Sequence, residues 1–129
     1  MLILLDTCIL IDLEKYSLEN HNDYRVSILS RAELEYGIRI AKSPGELAVR
    51  TSRLASIDRN YNWLLFDEGS SRAYGEIAAG ASATGAKIRG KDALIAAQAF
   101  QIGAAVMTEN MADFKPFKKY IQIIPPLRK

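Results

Sequence analysis

The chain has one cysteine, Cys8, and one histidine, His21. A lone cysteine excludes an internal disulfide and a zinc site built on cysteines. A lone histidine argues against a histidine-rich metal site and against a Ser-His-Asp triad. Long apolar runs are lacking too: the longest, Ala93 to Met107, is broken by Gln98 and Gln101 and is too short to span a bilayer. No basic n-region with a cleavage site accompanies the first apolar residues, so no secretory signal is expected, and the expected location is the cytoplasm. Repeats, low-complexity tracts and linkers are absent, and 129 residues suit a single domain, 1–129. Neither sign of charge dominates: 17 Lys and Arg stand against 15 Asp and Glu. That balance hides an asymmetry. Residues 1–85 hold 9 basic and 12 acidic side chains, while residues 86–129 hold 8 and 3. The basic end, with Lys87, Arg89, Lys91, Lys115, Lys118 and Lys119, is either a phosphate-facing surface or a solvated face.

What is present is an alternation of short apolar runs and helical patterns. Strands are expected at Leu2–Leu5, Arg25–Ile28, Trp63–Phe66, Ala104–Met107 and Ile121–Ile124. Between them, Asp6 opens a short helix through Glu14, and Ser30 opens a second to about Lys42. Ser43-Pro44-Gly45 breaks the chain before a third helix, with Leu47, Leu54, Ile57 and Tyr61 inward. Asp67 opens a fourth, closed by Gly85; Asp92 opens a fifth, with Gly103 as its left-handed stop. Pro125-Pro126 is expected to end the fold. Strands alternating with helices predict an α/β fold, a mainly parallel sheet with helices on both faces.

Four segments place a carboxylate at or near a helix start: Asp6, Glu33, Asp92 and Asp113. Helix capping explains each taken singly. Asp is a favoured N-cap, and Ser30 with Glu33 has the spacing of a capping box. Capping does not explain why three of the four follow strands, at the edge where parallel sheets bind ligands. Like charges gathered there repel unless a cation intervenes. An oxygen-only donor set suits a hard cation, Mg²⁺ or Mn²⁺, and such ions assist phosphodiester hydrolysis.

In Leu4-Leu5-Asp6-Thr7-Cys8-Ile9-Leu10, Ser30-Arg31-Ala32-Glu33-Leu34-Glu35-Tyr36-Gly37, Asp92-Ala93-Leu94-Ile95-Ala96-Ala97 and Thr108-Glu109-Asn110 with Asp113-Phe114, the chain resembles the PIN-domain nucleases. Within that family it is most similar to the VapC-type toxins of toxin–antitoxin pairs. The four motifs stand in the family's order and span residues 4–114.

The resemblance implies a three-layer α/β/α fold with about five central strands. It implies an endoribonuclease dependent on Mg²⁺, with Mn²⁺ able to substitute, that leaves a 5′-phosphate and a 3′-hydroxyl. Asp6, Glu33 and Asp92 match the family's main acidic positions. Asp113 is the choice for a fourth acid, with Asn110 as its alternative. Thr7 and Thr108 match supporting hydroxyls, and Arg89 and Lys91 are candidates for RNA contact. Glu109 departs from a position that is often basic in relatives. Expected partners are a VapB-like antitoxin, the RNA substrate and a second copy in a homodimer or a toxin–antitoxin hetero-oligomer. Tyr36, Ile38, Ile40, Leu47 and Leu54 are candidates for the antitoxin groove or dimer surface, and no membrane is implied. A catalytically weakened PIN-like RNA- or protein-binding module is the alternative. Haloacid-dehalogenase-type phosphatases need a second acid where Cys8 stands, and receiver domains need paired acids that Asp6-Thr7 does not supply.

Overall fold

Side-chain alternation along one short strand organises the computed structural model, which describes residues 1–88 and 90–129. In β1 (Leu2–Leu5), Ile3 and Leu5 point to one face of the sheet and Leu4 to the other. All three are buried, so β1 is central and covered on both sides. The order continues with α1 (Thr7–Ile11), β2 (Tyr16–Ser17), β3 (Asp23–Ser27), α2 (Ile28–Arg39), α3 (Pro44–Asn60) and β4 (Trp63–Leu64). Then come α4 (Glu68–Ala83), α5 (Gly90–Ile102), β5 (Ala105–Met107), α6 (Met111–Phe114), β6 (Ile123–Ile124) and β7 (Leu127–Arg128).

Five strands form one parallel sheet in the order β4-β3-β1-β5-β6. Leu5 of β1 stands level with Val26 of β3 and Met107 of β5. The chain winds outward from β1 to β4, then crosses back to β5 and β6. The order therefore reverses at β1, and the carboxyl ends of β1 and β5 flank the crevice where such sheets bind ligands. Leu4, Val106, Ile77 and the alanines of α5 pack on one face. Ile3, Leu5, Val26, Ile9, Leu34, Leu54 and Ile57 pack on the other. This is the expected α/β/α layering. In α5, Ala93, Ala96, Ala97 and Ala99 are fully buried, and their small size lets the helix lie close to its neighbours.

Several local expectations change. The second helix starts at Ile28, not Ser30: the Ser27 hydroxyl accepts the Leu29 N–H at 3.0 Å and caps it. Ser30 and Glu33 thus lie inside the helix and form no capping box. Asp92 lies in the first turn of α5 rather than at its cap. The first helix ends at Ile11, and a 3₁₀ turn follows at Leu13–Lys15. Pro125-Pro126 does not end the fold, because Leu127–Arg128 pairs antiparallel with Tyr16–Ser17. Leu47 faces outward, 45% exposed, while Leu54 and Ile57 are buried. The second helix ends at Arg39 rather than about Lys42, while the stop at Gly103 and the start at Asp67 hold. Gly103 adopts φ +71° after α5, and Asp67 caps α4 in a reciprocal box with Ser70. Among the described residues no helix is long and apolar enough to cross a membrane.

Two buried polar contacts lock the layers together. Ser27 Oγ donates to Gln98 Oε1 at 2.5 Å, and Gln98 Nε2 donates to the Leu64 carbonyl at 3.1 Å. The glutamine that interrupts the apolar run in sequence therefore ties α5 to the cap of α2 and to β4. Ser27→Ala removes a helix cap and strands the buried Gln98 carbonyl oxygen. It should lower stability by roughly 1–3 kcal/mol, read as a lower urea midpoint. An unchanged midpoint would contradict this role.

Candidate active site

Strand β1 ends at the crevice, and Asp6 follows it directly. Its backbone N–H continues the β1–β5 pairing by donating to the Met107 carbonyl at 3.0 Å. The residue is only 3% exposed. A buried carboxylate needs donors, and three residues supply them, two from α1 and one from beyond β5. The Thr7 N–H reaches Oδ1 at 2.8 Å, at the start of α1. Thr108 Oγ1, just beyond β5, donates to Oδ2 at 2.9 Å. The Cys8 thiol lies 3.5 Å from the same oxygen.

Thr7 joins this carboxylate to the next. Its Oγ1 lies 2.5 Å from Glu33 Oε1 and 2.8 Å from Ser30 Oγ. A threonine hydroxyl has one proton, and an ionised carboxylate only accepts. Thr7 therefore donates to Glu33, and Ser30 supplies the proton of the other contact. Ser30 and Glu33 are one turn apart on α2, so both face α1.

The third acid enters with α5. Asp92 is 9% exposed in the first turn of that helix. Beside it, Lys91 Nζ donates to Glu33 Oε2 at 3.0 Å. Partial burial works against the Lys91 ammonium, but the Glu33 hydrogen bond and the charges of Glu33, Asp6 and Asp92 outweigh it and raise its pKa. Asp6, Glu33 and Asp92 thus share one neighbourhood with one lysine cation among them.

The remaining candidates sit apart from this core. Thr108 accepts the Asn110 N–H at 2.9 Å, so Asn110 is anchored next to the site through its backbone. Its side chain makes no cap bond to α6. Asp113, half-buried in the first turn of α6, lines a neighbouring groove with Lys87 and Lys115. Glu109 turns to the other side, where it accepts from Tyr16 Oη and Arg128 Nη2, both at 2.9 Å. Burial and the Glu109 contact push the Tyr16 phenol up to about 12. Glu109 thereby braces the terminal β2–β7 pair. Arg89 lies outside the described residues. Sequence reasoning missed Ser30 as a partner of Thr7 and Lys91 as a partner of Glu33; both contacts join residues distant in the chain.

The donor set suits a hard divalent cation. Asp6 Oδ1 accepts one hydrogen bond, which leaves a second lone-pair direction. As they stand, no three His, Cys, Asp or Glu side chains among the described residues form a single ligand set. Mg²⁺ does not require one: it keeps several waters and uses one or two carboxylates plus substrate phosphate. Asp6, Glu33 and Asp92 carry oxygen donors of the kind such an ion takes.

Residues 3–118 match the family model of the PIN domain. No curated protein matches significantly. Among solved structures, the chain is similar to VapBC2 from Rickettsia felis, bound to a DNA fragment from its promoter. Identity is 24%, TM-score 0.82, and coverage 98% of this chain and 99% of that one. It is also similar to VapBC-5 from Mycobacterium tuberculosis, a member of the VapBC family of toxin–antitoxin systems. There identity is 23%, TM-score 0.80, with 99% and 98% coverage. FitAcB from Neisseria gonorrhoeae is 26% identical, TM-score 0.81, with 95% and 96% coverage.

Cys8 offers a reporter of this geometry. Burial pushes its thiol pKa up, against hydrogen bonds from Thr108 and the Glu109 backbone that favour the thiolate; the Asp6 charge raises it further. Only the thiolate is nucleophilic. Iodoacetamide should therefore label Cys8 at pH 8 at least several-fold more slowly than free cysteine, and denaturant should abolish the difference. Equal rates in the folded protein would contradict the placement beside Asp6.

Proposed function

The chain belongs to the PIN-domain family, and from that premise we propose that it is a metal-dependent endoribonuclease, the toxin of a VapBC-like pair. The observation that supports this reading is the chain of contacts from Asp6 through Thr7 to Glu33 on α2 and on to Lys91, the neighbour of Asp92 on α5. Mg²⁺, or Mn²⁺ in its place, would supply a water of lowered pKa and neutralise charge on the phosphoryl oxygens.

The chain's own residues perform the positioning. Thr7 N–H and Thr108 Oγ1 hold the Asp6 carboxylate from two sides, and Thr7 Oγ1 fixes one oxygen of Glu33. Asp113 stands as the fourth acid on α6, with Asn110 as its neighbour. Arg89 and Lys91 flank Asp92 and are assigned to substrate phosphates. Lys91 uses one of its three N–H donors on Glu33 and keeps others for a phosphate. The bond broken is that between phosphorus and the 3′-oxygen, leaving a 5′-phosphate.

A second feature supports the toxin–antitoxin part of the reading. Ile11, Leu34, Gly37 and Ile40 line a small groove of about 230 Å³ between α1, α2 and α3, together with Glu33, Arg50 and Arg53. Ile11, Tyr36, Ile40 and Leu47 are exposed there or on the adjoining surface. A groove with apolar side chains that reaches Glu33 fits an antitoxin segment that carries apolar side chains. Leu54 is in the core and takes no part. A homodimer and a toxin–antitoxin hetero-oligomer are the proposed assemblies, in the cytoplasm.

Two measurements test this. With total RNA and Mg²⁺ or Mn²⁺, the wild-type chain should cleave, EDTA should stop it, and Asp6→Asn or Asp92→Asn should reduce it by about 100-fold or more in folded protein. Undiminished cleavage in both variants would sink the assignment of the acids. A wild-type chain that binds RNA without cleaving it would favour the weakened binding module, the reading suggested by Lys91 occupying Glu33. Separately, Ile40→Glu at a 49% exposed position should change stability little and weaken cognate antitoxin binding by about tenfold or more. Unchanged antitoxin affinity would move that partner to another surface.

A further inference from the structure

We propose that the lysine-lined groove beside α6 is the track that carries the single-stranded RNA backbone away from the acid site. The inference rests on the nuclease reading above. The groove measures about 630 Å³, and its walls come from two segments. One is the end of α4 with the stretch leading into α5, which brings Thr84 and Lys87. The other is α6 and the turn after it, which bring Asp113, Lys115, Lys118 and Lys119.

One wall is joined to the acid site by hydrogen bonds, and Lys87 in the other precedes Asp92 by five residues in the chain. The segment holding α6 begins at Asn110, whose N–H is bonded to the same Thr108 hydroxyl that donates to Asp6. The α6 wall of the groove is therefore bonded, through Asn110 and Thr108, to Asp6.

The charge of the groove is not used inside the protein. Arg25, Arg31, Arg39, Arg50 and Arg72, on the acidic part of the chain, each pair with a carboxylate. Among the described residues no carboxylate pairs with Lys87, Lys115, Lys118 or Lys119, and all four are exposed. Lys119 lies over the Tyr120 ring at 5.3 Å, which leaves its charge in place. The one acid in the wall, Asp113, stands against four ammonium groups. Unneutralised cations along a cleft suit phosphodiester anions. A flexible single strand can turn its phosphates into such a cleft, as the rigid backbone of a duplex cannot. Contacts of this kind position a strand without reading its sequence.

The test compares the full chain with a Lys115→Gln, Lys118→Gln, Lys119→Gln variant, in EDTA to hold cleavage off. Fluorescence anisotropy of labelled oligouridine is read between about 50 and 200 mM salt, with duplex DNA as a second probe. The variant should bind oligouridine about tenfold more weakly or worse. Its plot of log affinity against log salt should be shallower by about 2, the value for three cations on a single strand. An unchanged slope, or an equal loss for duplex DNA, overturns the proposal. So does retained RNA affinity with an altered sedimentation profile, which would make the groove a surface between copies of the chain. Wild-type cleavage in Mg²⁺ is measured in parallel. Its absence removes the nuclease reading whatever the binding result, and its presence with an unchanged slope removes the groove alone.

Discussion

A carboxylate buried at the end of the central strand constrains everything around it. Asp6 is 3% exposed, and a charge in that position is tolerable only when its hydrogen bonds are made. The donors come from the start of α1 and from the residue after β5. Register between β1 and β5, entry of α1 and placement of Thr108 must therefore all be correct before Asp6 is satisfied. Thr7 passes the constraint to Glu33 and Ser30 on α2. From the other edge, Gln98 fastens α5, which carries Asp92, to the cap of α2. The site is not laid onto a finished fold; its hydrogen bonds are part of what aligns the layers.

Lys91 lies beside Asp92 in the chain and bonds Glu33, within reach of the Asp6 charge. Burial alone would lower the lysine's pKa, yet Glu33, Asp6 and Asp92 together raise it. The neighbourhood thus favours positive charge, which is the property a metal site needs. The Lys91–Glu33 contact is also partly solvated, with the side chains 44% and 36% exposed. Ion pairs this open contribute only about 0–1 kcal/mol. Such a pair can hold the acids together without locking them against exchange for a stronger cation or a phosphate-bearing substrate.

What the sequence made legible was local. Asp67 with Ser70 and the glycine at 103 are signals that act over one turn, and the structure uses them as such. The alternating strands and helices were equally readable, because periodicity reports burial directly. Misreadings arose where two local signals competed. Ile28 is β-branched and extends the apparent strand, so the helix start moved to Ser30 although Ser27 caps it. Pro125-Pro126 is a break signal, but the chain beyond it pairs with β2 and is braced by Glu109, Tyr16 and Arg128. Leu47 matches a helical face that α3 does not bury. The contacts that assemble the site, Thr7 with Ser30 and Lys91 with Glu33, leave no local trace, since each joins residues brought together only by the sheet order.

Two grooves of different lining flank the acids. The smaller has apolar side chains with Glu33, Arg50 and Arg53; the larger has four lysines and one carboxylate. An anionic strand is attracted by the lysines, whereas an apolar segment fits the smaller groove and reaches Glu33 from it. A segment arriving through the smaller groove would meet Glu33, whose Oε2 Lys91 already holds. On the proposed function, a blocking partner and the tethered lysine would compete for the same carboxylate from opposite sides. Inhibition would then need no contact with the lysine groove: it would follow from occupying an acid that the reaction requires, while the RNA track stayed open.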